Sequence, residues 1–315
     1  MADSDRDPEK LWLETPLVYS PHISARLGYI PRSSLYHTDP PTIAILQVPR
    51  NNAGLAVACV SKRLGARCTV YLHEGVSAST IDFLQREGRR VMVPPHDDPT
   101  GIARQLPPGI KPDAVFCSVG GRGLAGGIMY GCKSIGWDDV LLVALEPTGS
   151  NCFYHAPASS TLPEDICVEH NAIHNVEVAH LSKLTSRAIS LGASSPAATV
   201  VKMALKRSGG AESVCMPDET IMQAALLFAE EYKVLVELAC AATLTPAYKP
   251  DLFNKLSPPS STTTPRTAVF IVCGGFKISL EGMEEYKKLL EADAERGGQW
   301  TVLCHGEQWD VTVEK

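Results

Sequence analysis

The 315-residue chain lacks any uninterrupted apolar run approaching the roughly 20 residues that cross a bilayer. That excludes a membrane-spanning helix. Its first residues, Met1-Ala2-Asp3-Ser4-Asp5-Arg6-Asp7, are acidic and have no apolar core, so no secretory signal is expected and a cytoplasmic address is. There is no long basic run and no interleaving of arginine with aromatic residues. With a net charge of −6 and a pI near 5.9, a nucleic-acid partner is excluded. None of the ten cysteines forms a C-x-x-C pair. Several lie in apolar runs (Cys59, Cys117, Cys215, Cys240, Cys273), which reads as buried thiols in a reducing compartment rather than as disulfides or a zinc site. No internal repeat is present.

What remains is an ordinary globular composition, 44% hydrophobic and 20% charged, long enough for one large domain or two smaller ones. Thr42–Val48 reads as a buried strand and Ala53–Leu64 as a small apolar helix closed by Gly65. Strand, helix and strand follow at 67–72, 77–87 and 90–93. This alternation predicts a parallel sheet covered by helices. Strands resume at 113–118 and 139–146, and a strand-like stretch at 213–216 precedes the most apolar one, 268–273. Helices are expected at 124–132, 183–191, 197–207, from Pro217 to Tyr232, near Glu237, and from Leu280 to Ala292 behind a Ser279 cap. Residues 147–180 read as polar and irregular, and 257–265 as a low-complexity exposed loop. The first of these holds His155, His170, His174 and His180. Only His170 and His174 have helical i, i+4 spacing, so solvated loop histidines are expected rather than a metal site.

The central stretch is Ser118-Val119-Gly120-Gly121-Arg122-Gly123-Leu124-Ala125-Gly126-Gly127. A strand that breaks into glycines and then a helix turns several backbone N–H groups and a helix N-terminus toward one point, which suits a phosphate. A plain tight turn would also use glycine. Two other strands end in special sequences, Asn51-Asn52-Ala53-Gly54 and Cys273-Gly274-Gly275. An open α/β sheet places its ligand at the carboxyl ends of its strands, so one cleft fed by all three is expected.

Glu14-Thr15-Pro16-Leu17, Asn52-Ala53-Gly54-Leu55-Ala56, Ser118-Val119-Gly120-Gly121 and Gly136-Trp137-Asp138-Asp139-Val140 stand in a specific order. Leu184-Thr185-Ser186, Ser190-Leu191-Gly192, Leu235-Val236-Glu237 and Val272-Cys273-Gly274-Gly275 continue it. In this order and spacing the chain resembles the pyridoxal-phosphate (PLP) dependent L-serine/L-threonine dehydratases (ammonia-lyases), closest to fungal members. The resemblance implies an α/β, tryptophan-synthase-β-like fold of two parallel-sheet three-layer αβα domains with the cofactor cleft between them. Residues 36–105 would form the small, substrate-side domain, here shortened, and 1–35 with 106–315 the large PLP-binding domain. It further implies β-elimination of L-serine to pyruvate and ammonia, and a homodimer. Gly120, Gly121, Gly123 and Leu124 would hold the PLP phosphate, Asn52 the pyridine 3-oxygen, and Cys273 the pyridine nitrogen, a neutral thiol that leaves it unprotonated. Glu146, Ser150, Leu191 and Ala193 match the place where relatives hold a monovalent cation such as K+. Taken singly, Asn52 also reads as a turn residue, Cys273 as a core thiol and Glu146 as a strand-end carboxylate.

Relatives carry a Ser-x-Ser-Phe-Lys-x-Arg-Gly type segment before the Asn-Ala-Gly motif, and its lysine forms the Schiff base with PLP. Here that region is Tyr36-His37-Thr38-Asp39-Pro40-Pro41-Thr42, and no lysine lies between Lys10 and Lys62. The substrate-carboxylate loop is replaced by Val48-Pro49-Arg50-Asn51-Asn52, and Arg122 stands where the phosphate loop of relatives has its third glycine. A non-catalytic, PLP- or amino-acid-binding paralogue and a truncated gene product are therefore the alternatives to an active lyase.

Overall fold

The computed structural model describes residues 110–120, 123–156, 162–258, 267–273, 275 and 277–311, together with the backbone of Leu17–Tyr19 and Ile43–Gln47. The chain divides into two compact units. All described residues belong to one of them, Pro16–Val48 with Asp97–Lys315; the other, Met1–Thr15 with Pro49–His96, lies outside the described residues. The strands expected at 67–72 and 90–93, the helices at 53–64 and 77–87, and Asn52 lie outside them too.

The strands in chain order are β1 (Leu17–Tyr19), β2 (Ile43–Gln47), β3 (Ala114–Ser118), β4 (Leu141–Pro147), β5 (Ile166–Asn171), β6 (Val176–Leu181), β7 (Ala211–Met216), β8 (Ala268–Val272), β9 (Trp300–Cys304) and β10 (Glu307–Val311). The helices are α1 (Gly123–Ser134), α2 (Cys152–His155), α3 (Ala198–Lys206), α4 (Asp218–Tyr232), α5 (Leu238–Ala241), α6 (Pro250–Leu256) and α7 (Leu280–Glu295). Eight strands form one sheet in the order β1-β2-β8-β3-β4-β7-β9-β10. The five from β2 to β7 run parallel, as the alternating sequence predicts; β1 and β9 join them antiparallel at either side, and β10 pairs antiparallel with β9. Among the described residues no helix is long and apolar enough to cross a membrane.

The central strands are continuous apolar runs because helices cover both their faces; every residue of β3 and β8 is buried. In the β3–β8 register Phe116 lies opposite Phe270, and their rings stack 4.5 Å apart, with Phe253 of α6 at 5.6 Å from Phe116. Burying each such ring contributes roughly 2–3 kcal/mol. Helix α4 begins where Pro217 ends an extended segment and Asp218 and Glu219 meet the positive end of the helix. Its last residue is followed by Lys233 in the left-handed region at φ 57°. Ser279 caps α7, its Oγ accepting from the Gly282 amide at 3.1 Å.

Three sequence expectations change. Residues 147–180 are not irregular, since β5 and β6 form a separate antiparallel hairpin and α2 a short helix. Residues 183–191 are not a helix; only Ile189–Leu191 make a 3-10 turn. The final hairpin, β9 with β10, is additional. The histidines also divide. On the hairpin His170 bonds Glu177 at 2.7 Å on one face and His180 lies 3.6 Å from Glu169 on the other, whereas His155 is buried with Nε2 3.0 Å from Asn151 Nδ2. The eight described cysteines are free thiols, and all but Cys167 are buried.

Candidate cofactor site

Three adjacent parallel strands, β8, β3 and β4, end side by side at Val272, Ser118 and Pro147, and the candidate site residues follow these ends. Past Ser118 the ladder continues by one bond, from the Val119 amide to the Leu145 carbonyl at 2.9 Å, before the glycines begin. Gly120 lies against the Leu191 backbone: a Cβ there would stand 3.3 Å from both the Leu191 Cα and its carbonyl oxygen. Helix α1 then starts at Gly123, with no acidic residue in its first turn and Lys133 in its last. A twelve-residue helix with an uncharged N-terminal turn keeps its positive end for an anion. Gly120, Gly123 and Leu124 are thus gathered at one strand–helix junction, which suits the phosphate of PLP; Gly121 and Arg122 lie outside the described residues.

The monovalent-cation set clusters beside this junction. Glu146 is fully buried at the end of β4, and both its oxygens accept backbone N–H groups of α2, Oε1 from Phe153 at 3.0 Å and Oε2 from Tyr154 at 2.6 Å. Burial nevertheless dominates and pushes the Glu146 carboxyl up to about 8, against the pull of those two amides. A cation would oppose that rise. Ser150 Oγ donates to the Leu191 carbonyl at 2.9 Å, tying the chain after β4 to the turn that packs on Gly120. Ala193 follows two residues later, in a segment held to β6 by the Leu181 amide and the Ser194 carbonyl at 2.8 Å.

Cys273, directly after β8, is 3% exposed. Its neighbour is Cys240 of α5; the hydrogen bond to Cys273, together with burial, raises the Cys240 thiol well above its ordinary range. A buried sulfur with no cation beside it among the described residues is the kind of group that fits a neutral partner for a pyridine nitrogen. Glu237 was not assigned a role by its sequence position alone, although it lies within the Leu235-Val236-Glu237 motif. Its Oε2 accepts from Ser190 Oγ at 2.7 Å, and burial raises its carboxyl. At Gly275, with φ 129°, a Cβ would fall 2.3 Å from Glu237 Cγ, so only glycine closes the turn after Cys273. The structure therefore links Ser150 to Leu191, which packs on Gly120, and Ser190 to Glu237, which packs on Gly275 beyond Cys273; Glu146 is held separately by the α2 amides. Lys277 lies close enough to Glu237 to oppose the rise of its carboxyl.

The profile of the pyridoxal-phosphate dependent enzyme family matches residues 100–274. The chain is 30% identical over 270 residues to the mouse L-serine dehydratase/L-threonine deaminase, covering 75% of this chain and 77% of that one. It is 30% identical to its human counterpart over 273 residues, covering 76% and 77%. Among solved structures, a fungal L-serine ammonia-lyase from Rhizomucor miehei superposes with a TM-score of 0.66 at 19% identity, covering 88% of this chain and 98% of that one. The processed form of threonine deaminase isoform 2 from Solanum lycopersicum gives 0.63 at 16% identity, covering 88% of each. These likenesses and the strand-end geometry agree on the fold and on the cofactor. The chain belongs to the pyridoxal-phosphate dependent enzymes with the tryptophan-synthase-β-like fold, as a member of the L-serine/L-threonine ammonia-lyase family.

Proposed function

We propose that this chain acts as a cytoplasmic, homodimeric PLP-dependent ammonia-lyase on L-serine, with L-threonine as the second substrate. The observation that carries the reading is the convergence of the glycine junction at 120–124, Cys273 and Glu146 at three neighbouring strand ends. Bound PLP supplies the electron sink that lets a Cα proton and a β-hydroxyl leave. The chain's own part is positional. Backbone N–H groups of Gly120, Gly121, Gly123 and Leu124 hold the phosphate, and Asn52 donates to the 3-oxygen. Cys273 faces the ring nitrogen without protonating it. A monovalent cation on Glu146, with oxygens of Ser150, Leu191 and Ala193, neutralises the buried carboxylate and fixes the turn that packs on Gly120. Within the expected 36–105, residues 49–96 serve as the substrate-side domain, while β2 belongs to the main sheet.

One observation favours a second reading. No lysine lies between Lys10 and Lys62, where relatives carry the cofactor-bound lysine, so the chain would bind PLP and an amino acid without turnover. Both readings meet in one experiment. The purified chain is mixed with PLP and its visible absorption recorded. It is then treated with borohydride and mapped by mass spectrometry, and 2-oxo acid release from L-serine and L-threonine is followed with and without K+. Release with a reduced adduct on one lysine identifies a lyase with a replacement nucleophile. Saturable PLP binding without adduct or release identifies the non-catalytic paralogue. Absence of PLP binding refutes both.

A further inference from the structure

At the other end of β7 from the strand ends just described, three groups with metal-binding chemistry meet. The β7–β9 register sets Cys304 opposite Val214, and hence on the same sheet face as Glu212, two residues earlier on β7. His305 follows Cys304 in the turn to β10. Because Glu307 pairs with Cys304, that turn has two residues, His305 and Gly306, at φ 50° and 80°. This is the type I′ hairpin turn, whose first central position favours asparagine, aspartate or glycine. A histidine is held there with its Nε2 in contact with a Glu212 carboxylate oxygen. The donor atoms of Glu212, Cys304 and His305 all lie within 4.8 Å of one another, and among the described residues no other trio of His, Cys, Asp or Glu converges so.

We propose that Glu212, Cys304 and His305 form a zinc-binding site independent of the cofactor. Tetrahedral zinc holds sulfur at about 2.3 Å and nitrogen or carboxylate oxygen at about 2.0–2.2 Å, which puts ligand atoms roughly 3.3–3.8 Å apart. The donor atoms, all within 4.8 Å of one another, are gathered on the scale of one such coordination shell. The mixed sulfur, imidazole and carboxylate set suits zinc better than Mg2+ or Ca2+, which take oxygen ligands. Cys304 is 1% exposed, while the side chains of His305 and Glu212 are 56% and 33% exposed, so the ion has a buried sulfur anchor and an open approach. Binding converts the Cys304 thiol to a zinc-bound thiolate and releases its proton to solvent. Water fills the fourth position. The turn is braced from outside by the Gly306 amide donating to the Tyr154 hydroxyl at 3.0 Å.

The test uses the full chain with PLP in reducing, zinc-buffered solution, followed by elemental analysis and by Co2+ substitution. Wild type and the exposed-thiol control Cys167→Ser should each hold one zinc per chain. The Co2+ form should show a thiolate-to-metal charge-transfer band in the near ultraviolet. Cys304→Ser should abolish the band, and Glu212→Gln and His305→Asn should weaken zinc binding at least about tenfold. Asparagine tolerates the left-handed turn, so His305→Asn remains decisive even where the buried Cys304→Ser change prevents folding. Wild type without stoichiometric zinc, or zinc binding undiminished in His305→Asn, would overturn the assignment.

Discussion

Gly149, between Glu146 and Ser150, offers a sharp test of how the loop after β4 is held. Its φ is 82°, and an added Cβ would stand 2.0 Å from Thr185 Oγ1, 3.2 Å from Thr185 Cβ and 3.1 Å from the Ser186 amide. Gly149→Ala therefore adds a conformational cost of about 1–2 kcal/mol for a left-handed non-glycine residue. It also forces Thr185 aside. Thr185 is exposed and its side chain can rotate, but the Ser186 backbone cannot retreat without stretching the bond from the Thr185 amide to the Gly149 carbonyl, now 3.0 Å. Losing that bond costs about 1 kcal/mol. The expected loss is roughly 2–3 kcal/mol, a fall in Tm of about 5–10 °C for a domain of this size. Far-UV circular dichroism melts measure it. Thr185→Ala alone should be nearly silent, within about 0.5 kcal/mol. Combined with Gly149→Ala it should recover the steric share and leave the backbone share. A Gly149→Ala protein melting within about 1 °C of wild type would refute the reasoning. So would a double variant no more stable than the single one.

Three further outcomes follow from the packing. Phe116→Ala, at a fully buried ring stacked on Phe270 and Phe253, should cost about 3–5 kcal/mol in urea unfolding, against a small loss for Phe116→Leu. Ser279→Ala removes the cap of α7 and should cost about 1 kcal/mol, with Ser279→Asp nearly neutral in the same assay. Burial lowers the His155 imidazole, so the native state binds fewer protons there than the unfolded chain as pH falls through the ordinary value of 6.5. Its stability contribution is present above that value and declines below it, by at most about 1.4 kcal/mol per pH unit. The difference between wild-type and His155→Gln urea midpoints from pH 7 to 5 should isolate that slope; parallel profiles would exclude it.

The parallel core was legible because buried strands such as 114–118 and 268–272 are unbroken apolar runs, and because Ser279 and Pro217 carry explicit helix-start chemistry. The β5–β6 hairpin was not, since its charged pairs, His170 with Glu177 on one face and His180 with Glu169 on the other, interrupt the apolar alternation and in one dimension read as polar loop. Residues 183–191 have helical composition, but Ser186 and the Arg187 backbone are bound by the Asp218 carboxylate at 2.7 Å each, which holds the segment open. The strand-end positions of the glycines, Cys273 and Glu146 were readable, because each follows or closes an apolar run. The service of Glu237 to Gly275 was not, because it rests on a close approach of residues 38 positions apart. The same holds for Glu212 and His305, which lie 93 residues apart.

The final hairpin also governs what light can report about this molecule. Of the four tryptophans, Trp300 and Trp309 both stand on it, each with its indole N–H bound to a carboxylate and a lysine ammonium over its ring. Trp300 pairs with Asp293 at 2.9 Å and Lys249 at 5.2 Å, and Trp309 with Glu307 at 3.0 Å and Lys255 at 4.7 Å. Half of the tryptophans therefore report on one rim of the sheet, where β10 is the terminal strand. With Trp12 and Trp137 replaced by phenylalanine, fluorescence will follow the fraying of that rim while the amide signal follows the parallel centre, and the gap between the two curves measures how far the edge unzips on its own.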